Sequence, residues 1–177
     1  MKKIKIIITI ILFILSIFIH FGYSAFPNYF TSIFFPINES IFEHMKIIYT
    51  GILIVTIIEY FIYKNKGIKF NNLLLSIPIV SIIGISIYLS LYMLIDIFIP
   101  HNLIISVILL FLIFILCEVL SYNILKMENI KHQRIIGIVL IIISYVIFTY
   151  LSYNPPKNDL FFDTSTKTYG IKNKNKL

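Results

Sequence analysis

The sequence predicts an all-α polytopic membrane protein with about five transmembrane helices and a re-entrant or interfacial segment before the second of them. Three observations predict it. The chain is 59% hydrophobic and only 13% charged, with a mean hydropathy of +0.94. That is too apolar for a soluble domain of 177 residues, which needs charge to cover its surface. The apolar residues also come in runs of about 20, the length that carries a helix across roughly 30 Å of hydrocarbon. Finally, the basic residues cluster at the ends of those runs, where they set topology and meet lipid headgroups. The net charge of +7 is thereby accounted for, and the expected partner is the lipid bilayer, not nucleic acid. The only cysteine, Cys117, excludes an intrachain disulfide. Tryptophan is absent, so the 12 Tyr and 16 Phe must supply the interfacial belts.

Met1-Lys2-Lys3-Ile4-Lys5 is a basic start to an apolar run, and residues 4–23 form the first predicted span. A secretory signal begins in the same way, and Gly22-Tyr23-Ser24 resembles a small-x-small cleavage site. The run is long for a signal and ends in His20, so a retained helix is expected. Residues 24–39 are aromatic and turn-prone, with Pro27, Asn28 and Pro36. They are too apolar for a solvated loop, and their backbone must be satisfied against the bundle.

Ser40-Ile41-Phe42-Glu43 fits a capping box, in which Ser and Glu satisfy two orphan amides reciprocally. The second span covers 40–63 and stops at Lys64-Asn65-Lys66-Gly67. The third covers 71–95, with Pro78 as a kink and Ser81, Gly84, Ser86 and Ser90 as small residues for close packing. The fourth covers 102–124 and contains Cys117 and Glu118; the fifth covers 135–153 and ends at Asn154-Pro155-Pro156. The predicted domain is 1–171, with 154–171 as a tail and 172–177 disordered.

Nine basic residues (Lys2, Lys3, Lys5, Lys64, Lys66, Lys69, Lys126, Lys131 and Arg134) fall on one side of this topology. Lys46, Lys157 and Lys167 fall on the other. The imbalance predicts a cytoplasmic N-terminus and an extracytoplasmic C-terminus in a cell membrane. Three of the four histidines (His20, His44 and His101) then lie on the outer face with Glu39, Glu43, Asp96, Asp159 and Asp163.

The densest polar stretch is Asn38-Glu39-Ser40-Ile41-Phe42-Glu43-His44-Met45-Lys46. The chain supports three readings, two of them built on this stretch. In the first, these residues form a ligand-binding or structural site: Glu43 caps its helix, and Lys46 reaches back to Glu43 or Glu39 or snorkels to headgroups. In the second, His20, His44 and His101 bind zinc or another divalent metal, with Glu39 or Glu43 as a fourth ligand or Glu43 as a base. That would make a membrane hydrolase or transferase acting on a lipid-like substrate, although no His-Glu-x-x-His motif occurs. In the third, the intramembrane acids Glu59 and Glu118 serve a small transporter or ion-conducting subunit. Their plainer role is pairing with Lys64 or Arg134, and no inverted repeat supports transport. Whether the chain is an enzyme, which cofactor it holds and its oligomeric state are left open.

The Asn38–Lys46 stretch, followed by Glu59-Tyr60, resembles the Asn-Glu-Ser-(Ile/Val)-Trp-Glu-His-(Leu)-Lys signature of an uncharacterised bacterial family of small five-helix membrane proteins. Tyr153-Asn154-Pro155-Pro156, Leu160-Phe161-Phe162-Asp163 and Thr168-Tyr169-Gly170-Ile171 resemble its ending. Phe42 departs from the pattern, replacing Trp and losing an indole N–H. The resemblance implies five spans, an uncleaved first helix and a folded tail to about Ile171, but no activity, cofactor or catalytic residue. With both signature regions on one face, the tail is expected to cover the bundle mouth, placing Asp163 or Tyr169 near Glu43 and His44.

Overall fold

The computed structural model describes residues 1–99 and 102–171. Its helices are α1 (Lys2–Ala25), α2 (Tyr29–Phe34), α3 (Ile41–Asn65), α4 (Leu73–Phe98), α5 (Leu103–Lys126) and α6 (Gln133–Tyr153). All except α2 are long and apolar enough to cross a membrane. Their outward faces remain apolar, as Ile10, Ile14, Phe18, Leu112, Ile142 and Val146 illustrate, because hydrocarbon rather than water surrounds them.

Helices α1, α3, α4 and α5 form a closed bundle, in which α1 packs on α3 and α5 while α4 packs on the same two helices. Ile8, Leu12, Ile48, Val55, Ile77 and Phe114 fill its centre. Helix α6 stands outside this ring against α4. It meets α3 through an aromatic cluster of Phe42, Tyr49, Tyr145 and Phe148. Two ends can therefore be distinguished: a basic end, with the start of α1 and the loops 66–72 and 127–132, and a tail end, with α2, the start of α3 and the C-terminal segment.

Local chemistry fixes the element boundaries. Helix α3 stops at a Schellman turn: the Ile68 amide donates to Tyr63 O and the Gly67 amide to Lys64 O, with Gly67 at φ +63°. The turn-prone segment before α3 contains the short helix α2, capped reciprocally by Asn28 and Thr31. At Ser40 only half of the expected capping box forms. Ser40 Oγ accepts the Glu43 amide at 3.4 Å, but Asn38 Oδ1 accepts the Ser40 amide, and Glu43 turns elsewhere. Of the small residues in α4, Ser81 and Gly84 face the bundle, whereas Ser86 and Ser90 face outward. Helical periodicity cannot bring all four to one seam. Pro78 lies within a continuous α4.

After α6 the chain makes a turn of 3₁₀ helix at 159–161 and a short antiparallel hairpin, β1 (Phe162–Asp163) and β2 (Thr168–Tyr169). Phe161 inserts beside Phe42, with ring centroids 4.5 Å apart. Gly170 sits at φ +63° against α6, where a Cβ would lie 2.7 Å from Ser152 O.

Candidate functional site

At the tail end α1 and α3 run antiparallel, which brings His20 beside His44; their ring centroids are 5.1 Å apart. Glu39, one residue before the Ser40 cap, places its carboxylate between them. Glu39 Oε2 is 3.4 Å from His44 Nε2 and 3.8 Å from His20 Nε2. One ligand atom from each residue falls within a 4.8 Å cluster. Of the sequence-predicted metal ligands, His20 and His44 thus lie together, while His101 and Pro100 fall outside the described residues, as does the 172–177 tail.

The His44 tautomer follows from its second nitrogen. His44 Nδ1 is 2.8 Å from the Ser40 carbonyl, which can only accept, so Nδ1 carries a proton. Nε2 then faces a carboxylate oxygen. A second proton on the ring or a bound cation between them would turn this contact from lone-pair repulsion into attraction. Among the described residues, His20 Nδ1 is buried without a hydrogen-bond partner. The His44 hydrogen bond holds the Glu39 carboxyl below the usual carboxylate range, against burial and the neighbouring Asp163 charge, which push it up.

Glu43 lies one turn further and is buried, but its carboxylate is committed. Oε2 accepts from Lys46 Nζ at 2.8 Å and from the Ile37 amide at 3.0 Å, and Oε1 accepts from Ser152 Oγ. Lys46, also buried, donates to Ser32 O of α2. This network ties α2, α3 and α6 together. The carboxylate beside the histidines is Glu39, not Glu43.

The tail meets the same region. Asn38 Nδ2 donates to Gly170 O at 3.1 Å, and Asp163 accepts the Glu39 amide. Burial pushes the Asp163 carboxyl up, but hydrogen bonds from Thr166, Ser165 and Glu39 outweigh it and hold it low. Tyr169 packs against Phe162 with tilted rings, centroids 5.2 Å apart.

The intramembrane acids form a second cluster near the basic end. Lys5 Nζ donates to Glu59 Oε2 at 2.7 Å, Glu118 Oε2 at 2.8 Å and Ser121 Oγ at 2.7 Å, while Tyr63 donates to Glu59 Oε1 at 2.9 Å. The partner is therefore Lys5 and not the expected Lys64 or Arg134. Lys5 reads in the sequence as a topology charge, and only its position one turn inside an apolar helix, opposite the end of α3, could have marked it.

Comparison with curated proteins and with solved structures finds no match. A family model described as "Family of unknown function (DUF6512)" matches residues 1–171, nearly the whole chain, and the protein belongs to that family.

Proposed function

We propose that this integral membrane protein binds a divalent transition metal of the zinc class through His20, His44 and Glu39. The observation that carries this reading is the His44 arrangement: Nδ1 is tied to the Ser40 carbonyl while Nε2 faces Glu39 at 3.4 Å. A backbone carbonyl on the far nitrogen is how proteins orient an imidazole toward a metal. Ligands about 2.0–2.1 Å from a tetrahedral ion stand roughly 3.4 Å from one another, so the Glu39–His44 and Glu39–His20 separations of 3.4 and 3.8 Å need little adjustment. Imidazole nitrogens with a carboxylate oxygen suit zinc.

In this reading the basic end is cytoplasmic, the site is extracytoplasmic, and residues 154–171 act as a lid. Three protein ligands leave a position for water or a small ligand, and the bound metal would supply Lewis acidity there. Hydrolysis or group transfer on a lipid-like substrate is the catalytic extension of the proposal. The engagement of Glu43 by Lys46, Ile37 and Ser152 favours metal binding over that extension, because the proposed base has no free carboxylate oxygen.

The test is metal content of the detergent-purified protein by elemental mass spectrometry, supported by the absorption spectrum after cobalt substitution. About one metal per chain is expected, lost in His44→Ala and Glu39→Gln and retained in Glu43→Gln. Absence of metal after incubation with micromolar zinc overturns the proposal and leaves His44 and Glu39 as an ion pair.

A second reading, a proton- or cation-conducting subunit, draws on the Lys5–Glu59–Glu118 cluster, in which two carboxylates share one ammonium. Proton flux into vesicles that is lost in Glu118→Gln would support it, and equal flux in both proteins would remove it.

A further inference from the structure

A groove of about 740 Å³ opens at the basic end between α3 and α6, with α4 as its floor. Its origin lies in the packing of α6. At the tail end α6 meets α3 through Tyr49–Tyr145 and Phe42–Phe148, with centroids 5.2 and 5.8 Å apart. Towards the basic end α6 is drawn onto α4 at Gly137, where a Cβ would lie 2.5 Å from the Leu74 carbonyl carbon. The contact seats α6 against α4 and leaves the space beside α3 open.

The groove is amphipathic along its length. Ile57 and Phe61 of α3 and Leu74 and Ile77 of α4 make apolar walls. Its rim carries Asn129, Gln133 and Arg134. The rim is held in place by hydrogen bonds: Asn71 Nδ2 donates to Met127 O, Asn72 Nδ2 donates to Glu128 O, and the Ile130 amide donates to Asn72 Oδ1, each at 2.9 Å. Among the described residues, the buried Gln133 amide oxygen and the Arg134 guanidinium on this rim have no protein partner. Glu128 is the nearest acid in sequence, and Lys131 lies in the same loop.

We propose that the groove is a binding site for one anionic glycerophospholipid. An acyl chain lies along Ile57, Phe61, Leu74 and Ile77, the phosphate rests on Arg134, and a headgroup hydroxyl donates to Gln133. A guanidinium fork matches phosphate geometry, and a basic residue at the membrane surface favours anionic headgroups. The volume falls within the range of roughly 300–1,000 Å³ usual for ligand clefts. The unsatisfied Gln133 acceptor adds a demand for a donor that a choline headgroup lacks. The site is independent of the metal proposal and lies at the opposite end of the bundle.

Native mass spectrometry of the purified protein, supplied with phosphatidylglycerol or phosphatidylcholine of identical acyl chains, tests it. Wild type should retain one phosphatidylglycerol with about five-fold preference over phosphatidylcholine. Arg134→Gln, a change at an exposed residue, should abolish the preference while leaving a low level of binding common to both lipids. Ile57→Trp, which fills the groove from an outward-facing position, should reduce retention of both. Equal retention of the two lipids by wild type overturns the proposal, as does an undiminished preference in Arg134→Gln. A dimer that forms only without added lipid and is abolished by Ile57→Trp would also overturn it, because the groove would then be an interface for a second copy.

Discussion

The Lys5 ammonium lies 2.7 Å from the Glu59 carboxylate across 54 residues of sequence, and both side chains are buried in the bundle. Glu118 reaches the same nitrogen from α5, so one lysine ties three membrane helices together. Burying charge in an apolar interior is costly, and its removal from one side only leaves the other uncompensated. Lys5→Met is therefore expected to destabilise the protein by about 3–5 kcal/mol. Adding Glu59→Gln and Glu118→Gln should recover most of that loss. Thermal unfolding in detergent reads both, and a Lys5→Met protein as stable as the parent would exclude this role.

Glu43 and Glu39 differ in the same physical terms. Glu43 is buried and holds the buried Lys46, whereas the Glu39 side chain is about half exposed (49%). Glu43→Gln should cost about 3 kcal/mol or more by leaving an ammonium without its counter-charge. Glu39→Gln should change stability by no more than about 1 kcal/mol. Metal content should respond in the opposite order, lost with Glu39→Gln and kept with Glu43→Gln. Unfolding and metal analysis on the same two preparations check the crossed pattern.

The five spans were legible because a membrane demands long uninterrupted apolar runs, and those runs are contiguous in sequence. The pairings between spans were not legible in the same way. Lys5 stands where topology charges stand, and its partners come from 54 and 113 residues away. The Ser40–Glu43 spacing satisfies a local capping rule, but Asn38 took the Ser40 amide and released Glu43 to Lys46. In the sequence Glu39 stands only as an alternative to Glu43 for the fourth ligand, with Glu43 as the expected base. What singles it out is the angle at which α1 passes α3, placing His20 and His44 on either side of it. The groove beside Arg134 arises from the seating of α6 at Gly137, a contact for which a lone glycine in an apolar run gives no specific sign.

Asp163 organises the tail. It accepts the amides of Ser165 and Thr166 at 2.8 and 3.2 Å, the Thr166 hydroxyl at 2.6 Å and the Glu39 amide. Asp163→Asn removes acceptor capacity and charge, and should speed hydrogen exchange in 162–169 while leaving the helical spans protected. Because the folded carboxyl sits below its ordinary value of about 3.9, its contribution is complete above that pH and is lost as pH falls through the lowered value. Protection factors in 162–169, which correct for the slower intrinsic exchange in acid, should therefore fall selectively on acidification below about pH 4. Unchanged exchange in the variant would show that Phe161 and Gly170 anchor the tail alone.

Two glycines make contacts of different kinds, and their substitutions should differ in whether they can be rescued. A Cβ at Gly84 would lie 2.5 Å from the Cys117 sulfur, which is a side-chain atom. At Gly137 the obstacle is the Leu74 backbone, with its carbonyl oxygen 2.6 Å away. Each Gly→Ala change is expected to cost about 1–3 kcal/mol through overpacking. Adding Cys117→Ala should restore much of the Gly84→Ala loss, because removal of the sulfur vacates the space the new methyl needs. A side-chain truncation cannot relieve Gly137→Ala, because its obstacle is main chain; α6 itself must move off α4. The Gly84/Cys117 pair should consequently show a favourable coupling energy of about 1 kcal/mol in a double-mutant cycle. A cycle on Gly137 and the Leu74 side chain should show little coupling. Thermal unfolding of the single and double variants measures both, and equal coupling in the two cycles would contradict this account of the packing.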